Sequence, residues 1–582
     1  MTGPSPPNPS PPHRFFPILI LLLLTLNLLL FLPSMKGDFL WDDKDFISEN
    51  QDLQSRGFWK RFLFSPFGGA EGLDEINPQA GANRQFYRPL TSLSYRLDFQ
   101  VWGLNPAGFH LTNILLHVLN SVLLLGLLLK FGLDRWASFS GGLLFSVFPA
   151  HFENVSWISG RTDLLSFLLA GLSLLFFLDF LEKKRFFPLA VSSLFYLAAL
   201  LAKENVILLP VLFALLLCWK RRGAKDILFP LLPFGLALLA WAALRFQALC
   251  PAHFRSAGRP LWDLLGTVGF YTWKVLFPFK LGVTVSPFQV FGEPAYWIGG
   301  LALIILAALS IFYVFSKRTT GNLTFFGGPA FFLFLLPSAA VILSSATLSL
   351  LAWRFLYLPS AVFVAGLSAA LFSSTRRRAL PAVLLVLVLG AYAVELLPKN
   401  RLYGRDETNF WLGISDVEQE DLSARFNIGI TYLPLDEGRA LALFAGILTE
   451  KRHPLYEFWK TRVNEELAIY FAFQKDFGKA EHYFQELRKN PAGLSLHATF
   501  NYAYYLAFSG RTQEGEKIIT ERLRASPRDH FVLTRAAKFY LIFKDYEKAA
   551  ELYARDYEIF PSKQTRKLIE DLRVLRREKN SR

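Results

Sequence analysis

The sequence predicts an all-α protein in two parts, a polytopic membrane helix bundle followed by a solenoid of paired helices. Three observations predict it. The 582 residues are 52% hydrophobic and 16% aromatic but only 19% charged, below the roughly 25% of a soluble chain, and the mean hydropathy is +0.30. The apolar residues are gathered into runs separated by short basic clusters. Beyond about residue 400 the charges come into balance, and prolines recur at 454, 491, 527 and 561. This arithmetic excludes a disordered chain, an ordinary soluble enzyme and, with only two cysteines, a disulfide-framed scaffold.

Residues 1–14 are Pro-rich and read as a disordered cytoplasmic N-terminus. Phe15–Leu32 is an uncharged apolar run, longer than the about 7–15 residues of a signal-peptide core and not followed by a small-residue cleavage pattern. It reads as an uncleaved first span. Further spans are expected near 108–130, 136–150, 162–181, 186–202, 204–219, 227–246, 297–316, 324–345, 355–373 and 379–397, each near the roughly 20 residues a bilayer core requires. Between them lie Lys183-Lys184-Arg185, Lys220-Arg221-Arg222, Lys317-Arg318 and Arg376-Arg377-Arg378. Residues 1–399 carry a net charge of +12 and residues 400–582 one of +3. Basic runs placed between apolar stretches mark cytoplasmic loops, so no nucleic-acid partner is implied.

Eleven crossings follow, in an inner or plasma membrane, with the N-terminus cytoplasmic. The outer loop 33–107, Ala150–Thr162, Ser344–Arg354 and all residues after 397 then face the extracytoplasmic side. Trp262–Phe279 contains Gly266, Gly269, Lys274 and Pro278; surplus to the count, it reads as an interfacial or re-entrant helix. Cys218 falls at an inner end and Cys250 at an outer end, so no disulfide is expected.

The membrane part, 15–397, is joined by a linker at 398–419 to a repeat domain at 420–582. There Ala549 and Tyr553 precede Pro561, as Ala480 and Phe484 precede Pro491. Small residues let paired helices approach, aromatics fill the gap, and proline ends the second helix. The period resembles that of tetratricopeptide repeats, about 34 residues, with about four units and a basic capping helix near 563–578. Such arrays bind extended peptides on a concave face and hold no chemistry, so catalysis is expected in the membrane part.

Polar groups at a bilayer edge are costly and therefore informative. Asp42, Asp43 and Asp45 crowd one segment beside Trp41; they read as a general base, as a metal site, or as the solvated start of a helix. The next outer loop brings His151, Glu153, Arg161 and Asp163 within thirteen residues. His151 and Glu153 fall short of the three protein ligands of a typical zinc site, so the sequence requires no metal and leaves a divalent ion open. A guanidinium matches phosphate oxygens in bidentate fashion. Arg88, Arg161, Lys203 and Arg354 together are candidates to receive a phosphate head group. The alternatives are an Arg161 pair with Asp163 or Glu153, a mutual Lys203–Glu204 pair, and snorkelling anchors. Tyr87-Arg88-Pro89-Leu90 ends a Gly-rich stretch, Pro66–Gly81, that reads as a mobile loop. His110, Asn113 and His117 share one helix face and read as interior hydrogen-bonding groups.

Six motifs occur in order: Trp41-Asp42-Asp43; Tyr87-Arg88-Pro89-Leu90; Gly108-Phe-His110-Leu-Thr-Asn113-Ile-Leu-Leu-His117; Phe148-Pro-Ala-His151-Phe-Glu153-Asn-Val with Gly160-Arg161-Thr-Asp163; Ala202-Lys203-Glu204; and Arg354-Phe-Leu-Tyr357-Leu-Pro359. This set resembles the transmembrane and tetratricopeptide-repeat O-mannosyltransferases and their bacterial relatives, within the glycosyltransferase C superfamily. The resemblance implies a polyprenyl-phosphate sugar donor of mannose type. It makes Asp42 the base that activates an acceptor hydroxyl, with Asp43 assisting, and assigns Glu153 and His151 to the acidic second-loop motif. Arg161, Arg354 and the adjoining Tyr357 become candidates at the donor phosphate. Phe148 stands where relatives often carry His, and Trp353 where they often carry an acidic residue.

The function expected is an inverting, polyprenyl-phosphate-sugar-dependent glycosyltransferase in the membrane, acting at the outer face on Ser or Thr of envelope proteins held by the repeats. One alternative is a non-catalytic, membrane-anchored repeat scaffold for envelope assembly. Another keeps the chemistry but makes a glycan or lipid the acceptor.

Overall fold

The computed structural model describes residues 15–55, 57–67, 86–219, 224–249, 261–283, 285, 294–316, 327–344, 351–372, 378–414, 422–451, 456–489, 494, 496–559 and 563–580. The Gly-rich stretch beyond Phe67, the basic runs at 220–222 and 317–318, Arg376-Arg377, Cys250, and the prolines at 454, 491 and 561 lie outside the described residues. Among those described, helices and turns account for all regular structure. The chain divides into two compact units, one ending at Glu418 and one formed mainly from Gln419 onward.

The first unit is a bundle of α1 (Phe15–Phe31), α2 (Pro89–Trp102), α3 (Pro106–Lys130), α4 (Arg135–Ser146), α5 (Arg161–Lys183), α6 (Phe186–Ala202), α7 (Leu209–Trp219), α8 (Ala224–Ala248), α9 (Leu261–Leu276), α10 (Pro294–Ser316), α11 (Gly327–Ser344), α12 (Tyr357–Phe372), α13 (Ala379–Tyr403) and α14 (Glu407–Leu412). Among the described residues, five helices are long and apolar enough to cross a membrane: Pro106–Lys130, Ile158–Lys183, Lys225–Ala248, Trp353–Phe372 and Ala379–Tyr403. Five shorter apolar helices join them at Ile20–Lys36, Phe186–Ala202, Glu204–Trp219, Pro294–Leu309 and Gly327–Pro337. Eleven crossings were expected, and the difference is clearest at 136–150. There α4 has only 12 residues, about 18 Å at 1.5 Å per residue, against a core of about 30 Å. Beyond it the chain leaves the helix at Val147 and enters short turns at Pro149.

Two further boundaries move. The last apolar helix continues past 397 to Tyr403, and the following turn and α14 stay in the first unit. The start of the expected 398–419 linker is therefore part of the membrane-domain fold. The surplus segment at 262–279 is α9, which lies closely along α10. A Cβ added at Gly269 would fall 1.8 Å from the Tyr296 carbonyl oxygen, and one at Gly300 would fall 2.1 Å from that of Leu265. Glycine is what lets these two backbones touch.

The second unit consists of four helix pairs, α15 (Leu422–Tyr432) with α16 (Glu437–Thr449), α17 (Tyr456–Phe473) with α18 (Phe477–Arg488), α19 (Leu496–Phe508) with α20 (Thr512–Ala525), and α21 (His530–Ile542) with α22 (Tyr546–Ile559), followed by α23 (Lys563–Asn580). The pairs stack through two overlapping apolar cores, one centred on Phe444, Phe484 and Tyr505 and one on Phe500, Phe539 and Tyr553. Ala440, Ala480 and Ala549 are fully buried at the crossings, as the small-residue pattern predicts. The turns repeat as well. Lys475, Gly510 and Lys544 all adopt positive φ, and Asp436 and Asp476 cap the second helices of their pairs.

The α9–α10 contact gives a test. Gly269→Val forces apart two touching backbones, so loss of the folded bundle is expected, at a cost at or above the ~1–3 kcal/mol of ordinary overpacking. Gly235→Val on α8, where an added Cβ has nothing within 4 Å, leaves stability nearly unchanged. Fluorescence-monitored thermal unfolding in detergent compares the two.

Candidate active site

The segment that follows α1 is anchored where it leaves that helix. The Asn400 side-chain amide donates to the Leu30 carbonyl at 2.9 Å, and its carbonyl accepts the Ser156 hydroxyl at 2.8 Å. Just beyond, two stretches of backbone cross in contact. A Cβ at Gly37 would sit 2.1 Å from the Tyr403 carbonyl oxygen, and one at Gly404 would sit 2.2 Å from that of Pro33.

This crossing delivers Trp41 into an aromatic cage. Its ring centroid lies 4.9 Å from Phe410, 5.6 Å from Trp411, 5.7 Å from Trp157 and 6.1 Å from Tyr403. Trp41 has φ +47°, a left-handed conformation costing roughly 1–2 kcal/mol for a residue with a Cβ. The turn it makes points Asp42 and Asp43 differently. Asp43 is buried, and its carboxylate accepts the Leu40 N–H at 3.1 Å, the Ser159 N–H at 2.7 Å and the Ser159 hydroxyl at 2.5 Å. Asp42 remains partly exposed. The chain continues into a π-helical turn, Lys44–Ser48, and Lys44 pairs with Glu407 of α14 at 2.5 Å. Below, Phe39, Phe46, Ile47, Phe58, Tyr95 and Phe109 form an apolar core.

Burial raises the Asp43 carboxyl to about 7, against the lowering effect of hydrogen bonds from Ser159 and Leu40. Asp45 rises to about 6, chiefly through burial, with repulsion from Asp42 and Glu49 adding to it. Three aspartates in four residues thus occupy three different environments.

The connection from α4 into α5 is not a solvated connector; every residue from 148 to 164 is buried. His151 Nε2 lies 2.9 Å from the Ser360 hydroxyl, with its ring centroid 4.5 Å from that of Tyr357. The Tyr357 hydroxyl meets His117 Nδ1 at 2.7 Å and receives the Asn120 amide at 3.0 Å. Tyr357 is fully buried and belongs to this interior network rather than to an open phosphate site. Asn113 and His117 are interior hydrogen-bonding groups, as their shared face predicts, and His110 is buried beside them.

The four candidate cations all meet carboxylates. Arg88 makes a bidentate pair with Glu204, at 2.6 and 3.1 Å. Lys203 places its ammonium 2.7 Å from both oxygens of Asp163, which also accepts the Asn205 amide at 3.1 Å. Arg354 pairs with Glu153 through its guanidinium, and its backbone N–H donates to the same carboxylate at 3.1 Å. Arg161 pairs with Asp98 at 2.6 Å and donates to Asn113 and to the Phe109 carbonyl at 2.7 and 2.8 Å.

Two alternatives are thereby corrected. Lys203 and Glu204 do not pair with each other, because the backbone between them turns from extended into a 3-10 helix. The partner of Arg161 is neither Asp163 nor Glu153 but Asp98. The Arg161 side chain is 0% exposed, against 25% for Arg354, so Arg161 braces the bundle rather than facing a ligand.

The pairs are also coupled. The charges of Glu153, Asp163 and Asp42 all act on the Arg354 guanidinium, and Lys203 feels Asp163, Arg88 and Arg354. Asp42, Glu153, Arg354, Asp163, Lys203, Arg88 and Glu204 therefore form one electrostatic cluster. Among the described residues no three His, Cys, Asp or Glu side chains gather as a metal-binding group.

Asp98, Ser159, Asn400 and Glu407 were not anticipated. Asp98 offered a weak signal, an acid on a helix beside an apolar span; the others have partners at sequence separations of 116 to 370 residues.

No family model matches the chain. Over 156 residues it is 40% identical to Protein O-mannosyl-transferase tmtc2 of Xenopus laevis, covering 27% of this chain and 18% of that one. It is 36% identical over 160 residues to TMTC2 of Homo sapiens, 27% and 17% of the two chains. It is 31% identical over 205 residues to Tmtc1 of Drosophila melanogaster, 35% and 22%. The chain thus spans about a fifth of the length of these curated relatives. The similarity to O-mannosyltransferases holds over about a third of its own length. A crystallised tetratricopeptide-repeat domain aligns at 14% identity with a TM-score of 0.20, covering 70% of this chain and 99% of that one, a likeness too low to carry an argument.

The raised Asp43 carboxyl predicts a pH dependence. Its folded value, about 7, lies above the unfolded one, about 3.9, so the folded state holds the extra proton between them. The Asp43 contribution to stability therefore falls as pH rises from about 4 to about 7. Asp43→Asn should flatten the pH dependence of the melting temperature across that window.

Proposed function

We propose that this chain is an integral-membrane glycosyltransferase that moves a sugar from a polyprenyl-phosphate donor to a Ser or Thr hydroxyl of a protein at the outer membrane face. The observation that carries the reading is the split between two adjacent aspartates. Asp43 is consumed in holding the loop, while Asp42, partly exposed on the same turn, lies in the field of Arg354. The names of the similar proteins supply the reaction class.

Asp42 takes the proton from the acceptor hydroxyl, whose oxygen forms a bond to the anomeric carbon. The bond from that carbon to the phosphate oxygen breaks, and its electron pair leaves with the lipid phosphate. Attack from the face opposite the phosphate inverts the anomeric centre. Such a leaving group needs positioning and charge stabilisation more than a strong acid.

Arg354 is the most exposed of the four candidate cations and is assigned to the donor phosphate, with Arg88 and Lys203 behind it. Glu153 holds Arg354 in place, Asp163 holds Lys203 and Glu204 holds Arg88. Asp43, His151, Arg161 and Tyr357 are positioning residues. A phosphate entering this cluster competes with carboxylates, so the donor exchanges one ion pair for another rather than filling a bare cationic pocket.

Asp42→Asn keeps the size and polarity of the side chain but cannot take a proton, so turnover should fall by about 10²–10⁴-fold with donor binding retained. Arg354→Ala should raise the apparent KM for donor, with some loss of turnover. Steady-state transfer from a polyprenyl-phosphate mannose to a Ser/Thr peptide reads both. Near-normal turnover in Asp42→Asn would remove the first-loop mechanism. Unchanged sugar transfer in every variant, with loss of recruited proteins on deleting the repeats, would favour the scaffold.

A further inference from the structure

One cavity of the first unit shares no lining residue with the charged cluster. Three stretches of chain wall it: residues 36–38 after α1, Pro106 at the start of α3, and Gly404, Arg405, Asp406 and Asn409 after α13. The crossing of the Gly37 and Gly404 backbones holds two of these walls together. The cavity measures about 530 Å³, within the roughly 300–1,000 Å³ of ligand pockets.

Its lining carries two cations, Lys36 and Arg405, and two carboxylates, Asp38 and Asp406, all exposed. Among the described residues these four do not pair with one another. Each carboxylate is held locally instead. Asp38 accepts the Phe39 N–H at 2.7 Å, and Asp406 accepts the N–H and the side-chain amide of Asn409 at 2.9 and 2.6 Å. Arg405 reaches the Asn409 carbonyl at 3.4 Å. A simple anion here meets two carboxylates, and a simple cation meets two cations. A ligand that carries both charges satisfies both pairs: a phosphate suits Lys36 and the Arg405 fork, and a primary ammonium suits the carboxylates.

The position of the cavity identifies the source of such a ligand. α13 is long and apolar enough to cross a membrane, and Lys36 ends the turn that extends the apolar α1. Lipid head groups bind in pockets where membrane helices emerge. Exposed apolar side chains lead up to the cavity on two sides, Leu29 and Leu32 before Lys36, and Trp102 and Leu104 before Pro106. We propose that this cavity holds the head group of a phosphatidylethanolamine-type lipid, its phosphate on Lys36 and Arg405 and its ammonium on Asp38 and Asp406. The acyl chains run along Leu29, Leu32, Trp102 and Leu104. α14, which supplies Asn409, also carries Phe410 and Trp411 of the Trp41 cage, so a bound lipid braces the cage. The site is independent of the transfer reading.

The test uses the full chain in dodecyl maltoside. It is titrated with dihexanoyl forms of phosphatidylethanolamine, phosphatidylcholine and phosphatidylglycerol below their micelle concentrations, and with phosphoethanolamine, read by microscale thermophoresis. The ethanolamine lipid should saturate one site and bind at least about tenfold more tightly than the others. Choline offers the carboxylates no N–H, and the glycerol head group brings no cation. Asp38→Asn, which keeps the acceptor for the Phe39 N–H, and Arg405→Gln should each lose this preference with the unfolding temperature retained. Arg354→Ala should keep it. Absence of saturable binding, or equal binding of the choline lipid, overturns the proposal with the unaltered chain alone. Preference for the glycerol lipid overturns it as well, by making the site a plain anion site. Phosphoethanolamine binding as tightly as the lipid overturns the bilayer as the source. Undiminished preference in both folded variants, or its loss in Arg354→Ala, overturns the residue assignment.

Discussion

Trp41 is the residue on which the charged end of the membrane domain turns. It occupies a backbone conformation that a side chain disfavours, and four aromatic rings from three parts of the chain hold it there. An aromatic pair contributes about 0.5–1.5 kcal/mol beyond its buried area, so the cage readily offsets the strain. The Gly37 and Gly404 crossing, the Asn400 hydrogen bonds and the Lys44–Glu407 pair fix the two walls of the cage. What the strain accomplishes is a division of labour. One aspartate is buried and locked by Ser159, and its neighbour stays partly exposed, its charge acting on Arg354.

The second feature is charge pairing. Arg161–Asp98 and Lys203–Asp163 are nearly or fully buried pairs. Removing one partner of such a pair typically costs about 3–5 kcal/mol because the other charge is stranded. Arg354–Glu153 is the more open pair, and it sits where Asp42 acts as well. The pairs thus range from closed, Arg161–Asp98 and Lys203–Asp163, to open, Arg354–Glu153.

The bundle-plus-repeats architecture was legible because hydropathy, basic loops and a proline period act locally along the chain. Helix pairing in the repeats followed from Ala480, Phe484, Ala549 and Tyr553 for the same reason. At 136–150 apolar composition does not distinguish a full crossing from a short buried helix: α4 has 12 residues, and the chain turns at Pro149. Likewise the segment after 397 looked like a linker, since Tyr403, Glu407, Phe410 and Trp411 show their purpose only when Trp41 and Lys44 are brought to them. Polar clustering located the charged site, but the pairing within it was hidden. Asp98 and Arg161 are paired by the meeting of two helices, and neither carries a local sign of the other.

The most direct test of the account is the turnover of Trp41→Ala, measured at saturating donor together with donor affinity. If the cage exists to present Asp42, turnover falls while donor affinity, set by the paired cations, stays close to that of the unaltered protein. Weakened donor binding with turnover intact would contradict it, and would mean that the cage serves the phosphate site and not the base.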